Sequence, residues 1–146
     1  MPASARETVT PAQEAWAHFW RIFLDDKSRR MAVFTELGLS FQQSMALMQL
    51  EPGVPAPMSA LATAMQCDNS NVTGIVDRLE AAGLAERQAA EHDRRVKAVA
   101  LTEKGEAVRA EVRRRAGRPP PALAALSDED ARALRDILAR AAATLD

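Results

Sequence analysis

Asp68-Asn69-Ser70-Asn71-Val72-Thr73-Gly74-Ile75-Val76-Asp77-Arg78-Leu79-Glu80-Ala81-Ala82-Gly83 reads as a helix with both ends marked. Val72, Ile75, Val76 and Leu79 recur at i, i+3, i+4 and i+7, the spacing that gathers apolar side chains on one stripe. Asp68 is a good N-cap, because its carboxylate can accept a first-turn backbone N–H. Gly83 takes without strain the left-handed conformation that closes a helix. The opposite face, Ser70, Asn71, Thr73, Gly74, Asp77 and Arg78, is small and polar toward its N-terminus.

The flanks give this helix a context. Upstream, Ser59 to Met65 reads as a short helix with Leu61, Ala62 and Met65 inward, joined through the polar turn Cys67-Asp68-Asn69. Two short helices on a tight turn make a helix-turn-helix candidate. Downstream, Leu84–Ala89 and Val96–Leu101 bracket Ala90-Glu91-His92-Asp93-Arg94-Arg95, which predicts a β-hairpin with a charged tip. Val99 and Leu101 share one strand face, as a half-buried strand requires. Helix, turn, helix and hairpin form a winged helix-turn-helix.

That order has a physical logic for double-stranded DNA: the second helix fits the major groove and the hairpin reaches the neighbouring minor groove. Ser70 and Thr73 can hydrogen-bond several bases, Asn71 can pair bidentately with adenine, and Gly74 lets the backbone come close. Arg94 and Arg95 suit a narrow minor groove, whose negative potential attracts arginine, with Asp93 beside them to hold one guanidinium. A polar helix face and a basic loop are each common solvated features; their succession in one chain weighs against that plain reading and toward nucleic acid.

Further helices lie on both sides. Trp16, Phe19, Trp20 and Phe23 place four rings on one stripe of a helix from about Pro11 towards Leu37, stopped by Gly38. Ser40 to Gln43 matches a capping box opening the next helix, whose apolar face is Phe41, Met45, Leu47, Met48 and Leu50, and Pro52, Gly53, Pro55 and Pro57 end it. Thr102 caps a helix with Glu103 in its first turn, which runs out at Gly117 before Pro119, Pro120 and Pro121. Ser127-Asp128-Glu129-Asp130 opens a last helix with Ala131, Leu134, Ile137, Leu138, Ala141 and Leu145 on one stripe.

Composition bounds the rest. The 146 residues, 47% of them hydrophobic, suit one small soluble domain with a core of its own. Lone Cys67 excludes an internal disulfide, and no charged-then-apolar segment opens the chain, so a cytoplasmic setting is expected. No apolar run approaches the roughly 20 residues a membrane span needs. The net charge of −1 speaks against nucleic acid until it is divided along the chain. Residues 1–77 hold 5 basic and 8 acidic side chains, residues 78–118 hold 11 and 7, and residues 119–146 hold 3 and 5. The middle segment is basic between two acidic ends, which is where a polyanion would dock.

Val72-Thr73-Gly74-Ile75-Val76-Asp77-Arg78, Leu79-Glu80-Ala81-Ala82-Gly83-Leu84-Ala85-Glu86-Arg87, Asp93-Arg94-Arg95 and Leu101-Thr102-Glu103-Lys104-Gly105, taken together, resemble the MarR family of bacterial winged helix-turn-helix transcription regulators. The resemblance covers residues 59–105, and the flanking helices fit the family's plan. It implies a mainly α fold with a small β-wing, as one domain over 1–146. Its dimerisation helices would lie at about 11–37 and 103–146, and its DNA-binding region at about 40–102.

It also implies a homodimer on a pseudo-palindromic operator, commonly a repressor released by a small aromatic or lipophilic effector. Asn69, Ser70, Asn71, Thr73, Gly74 and Arg78 would then lie in the major groove. Asp93, Arg94 and Arg95 would form the wing tip, with Arg95 in the minor groove and Arg94 and Asp93 supporting it. Two recognition helices would stand roughly 34–36 Å apart. The break at Gly117–Pro121 departs from the family, whose helix there usually runs longer, and bears on the spacing of the two heads. An effector crevice would draw on Trp16, Phe19, Trp20, Phe34, Phe41 and Met45, residues that plain core packing would also explain.

Other chemistry finds little purchase. His18 and His92 are far apart, no paired carboxylates or Ser/His/Asp spacing stand out, and there is no glycine-rich phosphate loop, so neither enzyme, metal site nor cofactor is expected. Cys67 reads as a small packing residue. The competing function is a winged-helix protein-interaction module that binds no DNA.

Overall fold

The computed structural model describes residues 9–90 and 92–145. Its elements are α1 (Pro11–Glu36), α2 (Phe41–Gln49), β1 (Ala56–Pro57), α3 (Met58–Ala64), α4 (Asn69–Ala81), β2 (Ala85–Ala90), β3 (Asp93–Leu101), α5 (Glu103–Ala116), α6 (Pro121–Ala124) and α7 (Asp128–Ala142). The chain divides into two compact units, residues 1–28 with 119–146 and residues 29–118. α5 and the last turns of α1 therefore belong with the winged unit, although the sequence groups them with the dimerisation helices.

The winged unit closes on one apolar core. Leu47, Leu50, Val72, Val76, Leu79 and Val99 are fully enclosed, and Phe34, Leu61 and Val112 complete the walls. All four predicted apolar positions of α4 are buried. The apolar face predicted for α2 is turned: Ser44, Ala46 and Leu47 face inward, with Leu50 at the C-cap, whereas Phe41 and Met45 are exposed. Ser44 is buried without an unmet proton, because its hydroxyl donates to the Ser40 carbonyl at 3.0 Å. The capping box is present, with Ser40 Oγ accepting from Gln43 N–H at 3.1 Å and Gln43 Oε1 accepting from Ser40 N–H at 2.9 Å.

The sheet is antiparallel in the order β1-β3-β2. β1 is a two-residue strand that the sequence does not announce, pairing Ala56 with Val99 and Pro57 with Ala98. The hairpin is longer than its apolar pattern indicates: Ala90 pairs with Asp93, so Asp93, Arg94 and Arg95 begin strand β3 instead of lying in a loop. Asp93 Oδ1 accepts from the Arg95 backbone N–H at 2.9 Å, which fixes the turn locally. Glu91 lies outside the described residues.

The turn into α5 is densely bonded. Thr102 Oγ1 donates to the Gly83 carbonyl at 2.6 Å and accepts from Gly105 N–H at 3.0 Å, and Lys104 Nζ donates to the Ala82 carbonyl at 2.9 Å. These contacts close the C-terminus of α4 and start α5 together. Gly83 has φ +70, as its C-cap role requires. At the far end of α5, Arg29 donates to the carbonyls of Arg115 and Arg118, each at 2.9 Å, beside the Gly117 C-cap.

In the other unit the four rings of α1 pack on one another, Trp16 stacked on Phe19 with centroids 5.4 Å apart and Trp20 edge-on to Phe23 at 5.5 Å. They are not enclosed: Trp16 is 58% exposed, Phe19 47%, Trp20 41% and Phe23 37%. On α7, capped by Ser127, Ile137 and Leu138 are likewise half exposed.

Candidate nucleic-acid interface

The α4 N-terminus presents its polar residues as predicted. Asn69, Ser70, Asn71, Thr73 and Arg78 are exposed and Gly74 is half-buried. Asp68 Oδ1 accepts from the Asn71 backbone N–H at 2.8 Å and from the Ser70 hydroxyl at 2.7 Å. These two bonds hold the Asp68 carboxyl below the usual carboxylate range, the backbone bond contributing more. Thr73 Oγ1 donates to the Asn69 carbonyl at 2.9 Å. With their protons engaged by Asp68 and the Asn69 carbonyl, the Ser70 and Thr73 hydroxyls keep acceptor lone pairs, which suit the amino donors of adenine and cytosine. The Arg78 guanidinium folds back along the helix: a Cβ on Gly74 would stand 3.8 Å from its Nη2.

The wing supplies the cations. Arg94, Arg95 and Lys97 are exposed along β3, and among the described residues no ion pair engages Arg94 or Arg95. Asp93 does not hold either guanidinium, as the sequence suggested; its carboxylate is taken by the Arg95 amide. Arg87, on β2, is a residue that sequence reading does not single out. Its Nη2 lies 2.7 Å from Asp77 Oδ1, its Nη1 contacts Glu80 Oε2, and its backbone N–H donates to Glu80 Oε1 at 2.9 Å. Burial pulls the Arg87 pKa down, but these two carboxylates more than offset it and leave the group above its ordinary value.

The residues predicted to line an effector crevice separate into groups. Trp16, Phe19 and Trp20 pack together in the unit of residues 1–28 with 119–146. In the winged unit Phe34 and Phe41 meet at 6.4 Å, and Met45 is exposed one turn beyond Phe41. Phe34 also lines a cavity of about 360 Å³ with Arg30, Met48, Val112, Arg113 and Ala116. A second hollow of about 530 Å³ runs along the helix-turn-helix turn past Thr63, Gln66, Cys67 and Asn69. Half-buried Cys67 packs against the core. Among the described residues there is no group of three or more His, Cys, Asp or Glu placed to hold a metal, and no helix long and apolar enough to cross a membrane.

A helix pair on a tight turn backed by a three-stranded wing defines a winged helix-turn-helix protein. Residues 39–97 match the sequence model of the MarR family. The fold is similar to that of a MarR family protein from Bacillus stearothermophilus, at 26% identity and a TM-score of 0.80, covering 98% of this chain and 99% of that one. Residues 39–97 thus resemble a MarR family domain, and the chain shares the fold of a MarR family protein along almost its whole length.

The uncharacterized HTH-type transcriptional regulator YfiV of Bacillus subtilis (strain 168) is 32% identical over 91 residues, which are 62% of this chain and 57% of YfiV. The match thus spans little more than half of that relative's length. The fold is shared with a mutant of S. aureus MepR bound to oligodeoxyribonucleotide, at 18% identity and a TM-score of 0.62, covering 90% of this chain and 98% of that one.

Proposed function

We propose that this chain is a sequence-specific DNA-binding transcription regulator, a homodimeric repressor of a pseudo-palindromic operator that releases DNA when a small aromatic or lipophilic effector binds. The observation that carries this reading is the pairing of an exposed polar helix face with unengaged wing cations. Asn69, Ser70, Asn71, Thr73, Gly74 and Arg78 offer base-edge chemistry, and Arg94 and Arg95 stand on the adjoining strand with no carboxylate among the described residues occupying them. The MepR mutant, of the same fold, carries an oligodeoxyribonucleotide in its solved structure. The exposed rings of α1 and the apolar stripe of α7 support a two-fold partner, because a lone chain leaves them in water. The cavity beside Phe34 falls within the range of about 300–1,000 Å³ usual for small-molecule sites, and it would receive the effector.

A gel shift with fragments from the gene's own upstream region, repeated across salt concentrations, tests the reading. Binding that weakens steeply with salt is expected; no salt-sensitive complex on any fragment would remove it. Arg95→Ala should weaken the complex roughly tenfold and flatten the salt slope by about one unit, without shifting the thermal midpoint. Unchanged affinity would take Arg95 out of the interface.

A further inference from the structure

The exposed stripe of α4 contains a charge that should oppose DNA. Ser70, Thr73, Gly74 and Asp77 follow one another at i, i+3, i+4 and i+7, so the Asp77 carboxylate, 60% exposed, continues the face assigned to the major groove. α4 itself carries Asp77 and Glu80 against Arg78, a net charge of −1. Phosphate would repel that helix unless something outside it intervened.

Arg87 intervenes from the wing. One residue of β2 reaches two successive turns of α4: Asp77 through Nη2, Glu80 through both Nη1 and the backbone N–H, and the Thr73 carbonyl at 3.4 Å. Its side chain is only 22% exposed, so it is held on its carboxylates and is poorly placed to grip a phosphate. We infer that Arg87 is a positioning residue for DNA binding, which acts by neutralising Asp77 and Glu80 on the recognition helix and not by touching DNA. The inference rests on the DNA-binding reading above.

The test measures binding to a duplex that the wild-type protein selects from a random-sequence pool, by fluorescence anisotropy across salt, with a thermal melt of each variant. Arg87→Met keeps the aliphatic stem and removes the charge, and should weaken binding roughly tenfold. Adding Asp77→Asn and Glu80→Gln to Arg87→Met should restore affinity to within about threefold of wild type, because nothing is left to neutralise.

A triple variant as weak as Arg87→Met would overturn the inference, since a guanidinium that grips phosphate, or one that only supports the fold, is not replaced by removing carboxylates. Undiminished binding by Arg87→Met would overturn it as well. Should Arg87→Met fail to fold, Arg87→Lys decides: it keeps the charge and should bind within about threefold of wild type, and a folded Lys variant with a tenfold loss would sink the idea. These failures leave the DNA-binding reading standing, whereas a wild-type protein that selects no duplex removes both.

Discussion

Gly105→Ala is expected to lower the free energy of unfolding by about 3–5 kcal/mol, a large part of what holds a domain of this size together. A Cβ at position 105 would sit 1.8 Å from the Leu84 carbonyl oxygen and 2.8 Å from its carbon, distances that only a backbone shift can relieve. The same carbonyl accepts the Thr102 N–H at 3.1 Å, so the turn before β2 cannot retreat without opening the cap of α5. Urea denaturation of the two proteins measures the difference. Gly74→Ala is the contrast: its Cβ meets nothing closer than 3.8 Å, and replacing a helical glycine should stabilise by about 0.5–1 kcal/mol. Equal midpoints for Gly105→Ala and wild type would show that α5 can move away from Leu84.

Trp20→Glu should convert the proposed homodimer to monomers. Each exposed ring of α1 offers roughly 100 Å² of surface to a partner, about 2 kcal/mol of apolar burial. In a two-fold interface every substitution occurs twice, so the loss is about 4 kcal/mol, roughly a thousandfold in the dimer dissociation constant. Sedimentation velocity at micromolar concentration should show a single species of half the wild-type mass. A variant that still sediments as a dimer would place the interface elsewhere and leave the ring stripe unexplained. The core of the winged unit is built from other residues than these four rings, so its melting transition should survive the change.

Local chemistry made much of this molecule readable from its residues. The ends of α4 are legible because Asp68 and Gly83 act on their own neighbours through a capping bond and a left-handed φ. What stayed hidden depends on partners distant in the chain. β1 is two residues without periodicity and exists because β3 offers it a ladder. The wing strands outrun their apolar pattern because pairing continues through polar residues, Ala90 with Asp93. α6 is a four-residue helix with proline in its first turn, sitting in what reads as a plain break. Phe41 and Met45 look like core in a list of apolar positions, yet the phase of α2 is set by Ser44 and Leu47.

The candidate site divides the same way. Its candidate residues on α4 followed from one stripe and its opposite face, with Asn69 added by the family resemblance. Arg87 did not, since its partners lie seven and ten positions away on another element.

The bonds around Thr102 carry a consequence for the order of events in the cell. They shut the recognition helix at the same place where α5 begins, using groups that all belong to residues 82–105. The proposed reading head is therefore closed at this end by bonds within one chain, with no group drawn from a second copy. In the proposed dimer, pairing would then set how many heads act together rather than whether a head exists, and occupancy of an operator would follow the square of protein concentration near the dimer threshold. Small changes in expression would then be amplified into steep changes in control.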